Sequence, residues 1–208
     1  YVRGRETSRD PRSIREEIAA HAARGARELT LLGQNVNSYR WRGEEGELDF
    51  AGLLGRVEEW VRGSGIRWVR FLTSHPKDLS DEVIRIVAGS ASLCRAVHLP
   101  VQHGSDAVLA RMRRRYTRDG YLGLVRRIRE AMPEASLSTD ILVGFPGETE
   151  EDHRLTLELM EQVGFDDAFT YHYNVREGTA AASFGDTVPD DVKRRRLAEV
   201  IDLQRRIG

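Results

Sequence analysis

The alternation of strand and helix patterns constrains the fold of this chain more than any other feature of its sequence. Short apolar runs typical of strands alternate with longer segments in which apolar residues recur every three or four positions, as in helices. We predict strands at residues 28–32, 67–72, 95–101, 136–143 and 167–173 and helices at 11–24, 50–61, 80–88, 105–113, 119–131, 149–163 and 189–206. This order indicates right-handed βαβ crossovers and a parallel sheet, either doubly wound or closed as a partial barrel.

Polar turns follow the predicted strands at their carboxyl ends. They are G-Q-N at 33–35, S-H-P at 74–76, Q-H-G at 102–104, G-F-P-G at 144–147 and N-V-R-E-G at 174–178. A single polar turn would carry no functional meaning. Because the carboxyl ends of parallel strands meet at one edge, five turns in this position predict one shared pocket. No linker, repeat or low-complexity segment interrupts the series, so we predict a single domain over residues 1–208.

Composition narrows the classes of protein to which the chain can belong. Hydrophobic residues make up 40% and charged residues 31% of the 208 positions, as in an ordinary globular protein. No apolar run approaches the roughly 18 residues that a membrane-spanning helix needs, so we expect no membrane partner. With no signal-peptide pattern, the chain is expected to be cytoplasmic. Its formal net charge of −1 gives no broad cationic field, so contact with nucleic acid would depend on local patches.

The cysteine and histidine residues predict no metal site. Cys94 is the single cysteine, which excludes a disulfide within the chain and a metal site built from cysteines alone. We expect it to be a small buried residue at a helix end. The histidines lack H-E-x-x-H and H-x-H spacings, and no G-x-S-x-G is present, so a zinc hydrolase is a weak alternative and no catalytic residue is assigned.

Several residues near the predicted pocket could bind a ligand. Asp140 lies in an otherwise apolar strand, where its carboxylate could accept ribose hydroxyls or bond to a neighbouring turn. Gln102 offers a donor and an acceptor, either to a ribose or amino-acid group or to the loop backbone. The glycines around Pro146 would let backbone groups approach a flat base. Thr149 is a predicted helix N-cap, and the acids that follow it are expected only on a solvated helix face.

Two clusters stand out among the arginines that are spread along the chain. Arg111 and residues 113–115 lie near a helix end, where one side chain could turn inward and bind a carboxylate through two hydrogen bonds. The arginines at 194–196, 205 and 206 are predicted on the solvated face of the last helix. The residues alone therefore predict an α/β, barrel-like domain with a polar pocket suited to a ribose, and they name no reaction.

Six longer motifs occur in order along the chain. They are L-L-G-Q-N-V-N-S-Y (31–39), F-L-T-S-H-P (71–76), H-L-P-V-Q (98–102), M-R-R-R-Y-T (112–117), S-T-D-I-L-V-G-F-P-G-E-T-E-E-D (138–152) and Y-H-Y-N-V-R-E-G-T-A-A (171–181). Together they closely resemble the radical S-adenosylmethionine methylthiotransferases, specifically the MiaB-type tRNA enzymes. The resemblance implies a partial (βα)6 TIM-like barrel of the radical S-adenosylmethionine type over 1–208, lacking its first strand and cluster loop. The family's upstream methylthiotransferase domain and downstream TRAM-like RNA-binding domain are expected to lie outside this chain.

The resemblance also implies a site for S-adenosylmethionine at the strand ends. Its residues are Gly33, Gln34, Asn35, Gln102, Arg114, Asp140, Val143, Gly144, Phe145 and Tyr173. Residues 33–35 would contact the methionine amino group, and Arg114 would pair with the methionine carboxylate. Gln102 and Asp140 would hold ribose hydroxyls or nearby polar atoms. Residues 143–145 would flank the adenine, and the end of the last strand would lie over the pocket.

The reaction and the partners follow from the same resemblance. In this family, an electron from a 4Fe–4S cluster cleaves S-adenosylmethionine, and the resulting radical abstracts hydrogen from an adenine carbon. A methylthio group is then installed on isopentenyl-type adenosine next to the tRNA anticodon. The full-length protein would carry two 4Fe–4S clusters with cysteine ligands outside this chain, and its partners would be the tRNA anticodon stem-loop and an electron donor. We expect a monomer, and we expect the fragment itself to be inactive.

Two departures from the family's motifs and three other functions bear on this prediction. His103 stands where the family usually has serine, and residues 174–175 replace a usual Ser-Pro, which bears on substrate preference. A sister group modifies an aspartate of a ribosomal protein, but residues 33–35 and the pair at 75–76 favour tRNA. A non-catalytic RNA-binding module is disfavoured by the near-neutral charge. A phosphate-binding barrel enzyme would have only the E-G-T at 177–179 as a faint anion site.

Overall fold

The computed structural model describes residues 7–33, 35–43, 46–72, 75–176, 178–185 and 187–208. Within these ranges the helices are α1 (Pro11–Ala23), α2 (Phe50–Val61), α3 (Asp81–Gly89), α4 (Asp106–Arg111), α5 (Arg118–Ala131), α6 (Glu150–Val163) and α7 (Asp190–Ile207). The strands are β1 (Glu28–Leu31), β2 (Arg40–Gly43), β3 (Gly46–Asp49), β4 (Trp68–Phe71), β5 (Ala96–His98), β6 (Ser136–Val143) and β7 (Asp167–His172). Short 3-10 helices occupy Val36–Ser38, Pro76–Asp78 and Ala180–Phe184. The chain divides into two compact units, Tyr1–Arg95 and Ala96–Gly208.

The five predicted strands and seven predicted helices are confirmed, and most of their ends shift by a residue or two. The largest difference is in β5, which has three residues although the sequence predicts a strand over 95–101. Pro100 interrupts this strand because it has no N–H group to donate to the ladder. Parallel pairing resumes as an isolated bridge between Gln102 and Ile141.

The first unit contains a two-stranded parallel sheet covered by an amphipathic helix. β1 pairs with β4 from Glu28 opposite Trp68 to Leu31 opposite Phe71. The apolar stripe of α2 is buried, namely Leu53, Leu54, Val57 and Val61. The rings of Phe50 and Phe71 meet edge to face with centroids 5.3 Å apart, which joins the start of α2 to the end of β4.

Two features of the first unit contradict the sequence predictions. No strand is predicted at residues 40–43 or 46–49, but these residues form the antiparallel pair β2–β3, in which Trp41 lies opposite Leu48 and Arg42 forms an ion pair with Glu47 at 3.0 Å. Such cross-strand pairs stabilise a hairpin without a core-facing apolar stripe. Cys94 is half-buried and lies beyond α3, and its N–H donates to the Val69 carbonyl at 2.9 Å.

The second unit is built on a three-stranded parallel sheet in the order β5-β6-β7. Alternate residues of β6 are buried on one face, namely Leu137, Thr139, Ile141 and Val143. The residues between them, which include Asp140, lie on the opposite face and are only partly buried. Because side chains alternate along a strand, β6 contributes mainly apolar groups to the core and mainly polar groups to the other face.

Local signals fix the helix ends of the second unit. The Thr149 side chain accepts from the Asp152 N–H at the start of α6, and the Asp152 carboxylate accepts from the Thr149 N–H, which completes a capping box. Gly164 ends the same helix with φ of +61°, a conformation that favours glycine. In the described part of the chain, no helix is both long and apolar enough to cross a bilayer.

Candidate functional site

Asp140 lies between two side chains on the half-buried face of β6. Its Oδ1 is 3.6 Å from His98 Nε2, and its Oδ2 accepts a hydrogen bond from Gln102 Nε2 at 3.4 Å. Its side chain is 26% exposed. An ionised carboxylate can accept about four hydrogen bonds, so these long contacts leave acceptor capacity for a ligand. The carboxylate is therefore partnered by side chains, and solvent can still reach it.

Gln102 is held beside Asp140 by an unusual backbone conformation. Its φ is +69°, which is uncommon for a residue with a Cβ. The Gln102 N–H donates to the Asp140 carbonyl at 2.8 Å, and its own carbonyl accepts from the Leu142 N–H at 2.8 Å. These two bonds to β6 maintain the strained conformation and direct the amide toward the carboxylate. Backbone strain of this kind is concentrated at functional sites.

Arg114 lies close to the same region through Tyr116. The Tyr116 hydroxyl is 3.0 Å from the Val101 carbonyl, and burial raises the pKa of this hydroxyl to about 12. The charge of Arg114 lowers that pKa and the charge of Asp140 raises it, so both groups act on Tyr116. Arg114 is half-buried and forms no ion pair with any described residue. Its guanidinium is therefore available to a carboxylate ligand.

The turn after β6 is fixed by a buried glutamate. Glu148 accepts hydrogen bonds from the N–H groups of Gly144 and, at 3.0 Å, Phe145. Gly144 has φ of +73°, and a Cβ at this position would lie 2.5 Å from Lys193 Cγ. Only glycine fits here, because the backbone conformation and the close approach of Lys193 both exclude a side chain.

The aromatic residues around this turn pack into the core. Phe145 and Tyr173 are 4% and 7% exposed, with ring centroids 5.3 Å apart, and both pack against Val108. Val143 is fully buried, and its carbonyl accepts from the Tyr173 N–H at 2.8 Å. If residues 143–145 flank an adenine, as we predict, their backbone rather than their side chains would contact it.

A network of buried charged groups lies behind the turn. The second Glu148 oxygen, Oε1, is 3.4 Å from Arg196 Nη1, 3.5 Å from His103 Nε2 and 3.8 Å from His153 Nδ1. His103 Nδ1 accepts from the Ser105 N–H at 3.0 Å, so the proton of a neutral ring is on Nε2 and faces Glu148. Burial lowers the pKa of His153 below its ordinary value, although a hydrogen bond to a nearby carboxylate opposes this effect.

Two residues of this region were misplaced by the sequence analysis. Arg196 was predicted on the solvated face of the last helix, but its side chain is 3% exposed and its Nη1 donates to the Glu148 carbonyl at 3.2 Å. Asp152 was predicted on a solvated face, but it accepts hydrogen bonds from Ser105 and Thr149. Burial raises the pKa of Asp152, but these hydrogen bonds outweigh burial and leave the pKa below its usual value. The network therefore stabilises the turn from the interior.

The remaining predicted site residues belong to the first unit. Gly33 and Asn35 border a cavity of about 900 Å³ between α1 and the edge of β1. The Asn35 amide donates to Asp78 Oδ2 at 2.9 Å, which orients the turn after β1. Gln34, which was also predicted to bind the cofactor, lies outside the described residues.

His98 is a polar neighbour of Asp140 that the sequence analysis did not assign to the site. Its Nδ1 is 3.0 Å from Ser138 Oγ, and its ring meets Phe169 edge to face with centroids 5.8 Å apart. The sequence carries no signal for this contact, because the fold sets the adjacency and register of β5 and β6 that put His98 and Asp140 on the same face. The described residues include no cluster of three or more side chains able to hold a metal ion.

Comparisons with known proteins agree on one family. The model of the Radical SAM superfamily matches residues 1–160. The chain is 54% identical over 211 aligned residues to the tRNA-2-methylthio-N(6)-dimethylallyladenosine synthase of Treponema denticola, covering 100% of this chain and 46% of that protein. The chain thus spans about half the length of the curated relatives that it matches.

Solved structures with low sequence identity share the fold. Coproporphyrinogen III oxidase (HemN) of Escherichia coli, a radical SAM enzyme, superimposes with a TM-score of 0.66 at 16% identity, covering 95% of this chain and 45% of that one. The radical S-adenosylmethionine methyltransferase TsrM of Kitasatospora setae gives 0.61 at 18% identity, with coverages of 79% and 29%. These likenesses confirm the predicted α/β fold with parallel strands, a partial TIM-like barrel. The chain belongs to the radical SAM superfamily.

Proposed function

We propose that the protein of which this chain is part methylthiolates isopentenyl-type adenosine next to the anticodon of tRNA. The observation that carries this proposal is the 54% identity, over the whole chain, to a synthase named for that product. Several relatives that are 52–55% identical to this chain carry the tRNA name, so we do not favour the sister activity on a ribosomal aspartate. Because the chain covers 46% of that relative, we assign the activity to the longer protein.

The polar groups of the second unit fit S-adenosylmethionine, which membership of the superfamily implies. Asp140 has acceptor capacity for ribose hydroxyls, and Gln102 adds a donor beside it. Arg114 has no carboxylate partner in the described part of the chain and suits the methionine carboxylate. At this turn Glu148 already accepts from the N–H groups of Gly144 and Phe145, so a flat base would meet backbone carbonyl rather than N–H groups there.

Membership also implies a 4Fe–4S cluster, and the residues present do not fit one. Cys94 is the single cysteine, and its backbone belongs to the pairing region beside β4. A cluster needs several thiolate ligands, so we derive no step through it from this chain. Our proposal places the ligands of two such clusters elsewhere in the longer protein, which also receives electrons from a donor.

The chain's own contribution is to bind and orient. When bound, S-adenosylmethionine supplies the radical chemistry, and the protein determines which substrate atom lies within reach. Arg114 would bind the methionine carboxylate of S-adenosylmethionine, and Asp140 would bind its ribose hydroxyls. The buried Glu148 would keep the turn at Gly144 rigid. Holding the reactants in one geometry converts a bimolecular encounter into an effectively unimolecular step.

We also propose that the protein is a cytoplasmic monomer.

The proposal is tested with the full-length protein, reconstituted with iron and sulfide and given S-adenosylmethionine, a reductant and an anticodon stem-loop RNA. We expect mass spectrometry to detect methylthio-adenosine in RNA that carries isopentenyl adenosine. A parallel reaction with a ribosomal-protein peptide should yield no product. Product on the peptide and none on the RNA would overturn the proposed substrate.

Cofactor binding is tested separately by calorimetry without reductant. We expect Asp140→Ala to weaken S-adenosylmethionine binding by about tenfold or more, because hydrogen bonds to a charged acceptor are worth about 1.5–3 kcal/mol. Asp202→Ala is the matched control, because Asp202 is a carboxylate on helix α7 whose side chain is 63% exposed. Equal losses in the two variants would remove Asp140 from the site.

A further inference from the structure

Two aromatic side chains of β7 are exposed on the sheet face that carries Asp140. Phe169 is 51% exposed and Tyr171 is 53% exposed, and their spacing of two places both on one face of the strand. The register pairs Phe169 directly with Asp140. His98 contacts both, since its ring meets Phe169 edge to face and its Nε2 is 3.6 Å from the Asp140 carboxylate. We call Phe169 and Tyr171, with His98 and Asp140 beside them, the β7 aromatic face.

The chemistry of this face suits an uncharged heterocycle. Exposed aromatic rings bind nucleobases by stacking, and this contact needs no particular base sequence. The polar groups beside the rings are a carboxylate, an imidazole, and the Ser138 hydroxyl 3.0 Å from His98. They can accept from the amino group of a base or from sugar hydroxyls. An anionic substrate such as an aspartyl side chain would be repelled by Asp140 at this position.

The position of the face also fits the function proposed above. Asp140 is the residue to which we assign the ribose of S-adenosylmethionine, and the register places Phe169 next to it on the adjacent strand. A base bound on β7 would therefore lie beside the cofactor, as transfer between the two requires. An isopentenyl substituent is apolar, and contact with the half-exposed rings would remove apolar surface of both from water.

Resting on that proposed function, we propose that Phe169 and Tyr171 bind the target adenine of the RNA together with its isopentenyl group. Phe169 provides a stacking surface beside the ribose site, and Tyr171 extends the apolar surface toward the carboxyl end of β7. This assignment makes the β7 aromatic face the part of the protein that distinguishes prenylated from unmodified adenosine.

The test measures RNA binding to the full-length protein without reductant, so that no turnover occurs. Two fluorescent anticodon stem-loops are compared by anisotropy, one with isopentenyl adenosine and one with adenosine at the same position. The variants are Phe169→Ala, Phe169→Leu and Tyr171→Ala. The control is Thr170→Ala, because Thr170 lies between the two aromatic residues and faces the other side of the strand.

We expect the wild type to prefer the prenylated RNA. Each alanine variant should lose about tenfold in affinity for it, with a smaller loss for the unmodified RNA. Phe169→Leu should retain part of the preference because it keeps apolar surface, and Thr170→Ala should match the wild type. Wild-type affinity and preference in both alanine variants would overturn the inference.

The reaction assay separates this inference from the proposed function. If the wild type methylthiolates the prenylated RNA while Phe169→Ala and Tyr171→Ala bind it normally, the subsite is refuted and the function stands. If the wild type neither binds nor modifies either RNA, the proposed function fails and the subsite fails with it. Preferential binding of a ribosomal-protein peptide would likewise overturn both.

Discussion

Replacing Glu148 by glutamine tests how the turn after β6 is held. One carboxylate oxygen accepts from the N–H groups of Gly144 and Phe145, and the other lies 3.4 Å from Arg196 Nη1 and 3.5 Å from His103 Nε2. A glutamine can satisfy the two backbone donors with its oxygen. Its NH2 group must then face Arg196 and His103, which are themselves donors in that direction.

The expected cost follows from these contacts. Hydrogen bonds to a charged acceptor contribute about 1.5–3 kcal/mol and neutral ones about 0.5–1.5, so the two backbone bonds together lose about 2 kcal/mol. The donor–donor conflict at the buried Arg196 adds about 1 kcal/mol. The sum stays within the upper bound of about 3–5 kcal/mol that the removal of one partner of a buried ion pair costs. We therefore expect Glu148→Gln to lower the free energy of unfolding by about 3 kcal/mol.

The assay is urea unfolding followed by circular dichroism, with hydrogen exchange of the Gly144 and Phe145 amides as a local probe. Glu150→Gln is the matched control, because Glu150 also binds Arg196, at 2.8 Å, but its carboxylate is 63% exposed. An exposed pair of this kind contributes about 1 kcal/mol or less. If Glu148→Gln costs no more than Glu150→Gln, or leaves exchange at the two amides unchanged, the buried carboxylate does not hold the turn.

Three further predictions concern the second unit. Gly144→Ala should lower the free energy of unfolding by about 3 kcal/mol in urea titrations, because it combines a φ of +73° with a Cβ that is 2.5 Å from Lys193 Cγ; an unchanged midpoint would contradict the close packing. Thr149→Ala should cost about 1 kcal/mol through loss of the N-cap bond to the Asp152 N–H, and Thr149→Ser should restore most of it. The pKa of His153 is lower in the folded state than in the unfolded state, so the unfolded state binds more protons. The contribution of His153 to stability is therefore complete above about pH 6.5 and is lost as the pH falls toward the folded pKa. His153→Gln should therefore flatten the acid side of stability against pH, and an unchanged slope would exclude His153 as its source.

The elements of the fold were predictable because their signals are local. The alternation in β6 and the apolar stripe of α2 gave these elements their observed bounds. The helix start after Thr149 was predicted from a capping residue that acts within one turn. The hairpin β2–β3 was missed because its stability depends on cross-strand partners in a segment without a core-facing stripe.

The candidate site was predictable only in part. Asp140 and Gln102 were selected from their positions in the predicted strands, and the resemblance to a known family selected Arg114 from its cluster. The fold brings Gln102 next to Asp140, and the charges of Asp140 and Arg114 both act on Tyr116. The positive φ of Gln102 could not be inferred, because it depends on hydrogen bonds to a strand 38 residues away. Sequence proximity carries no information about such a contact.

The order of strands and helices, the capped start of α6 and the family could all be predicted without a structure. The elements depend on side-chain periodicity and on contacts within a few residues, whereas the family follows from the resemblance of six ordered motifs. Tertiary structure decided that Arg196 is buried against Glu148 and that His98 and Phe169 lie beside Asp140. The physical reason is that a charged side chain can enter the interior only where folding supplies its partner, and strand register decides which side chains meet.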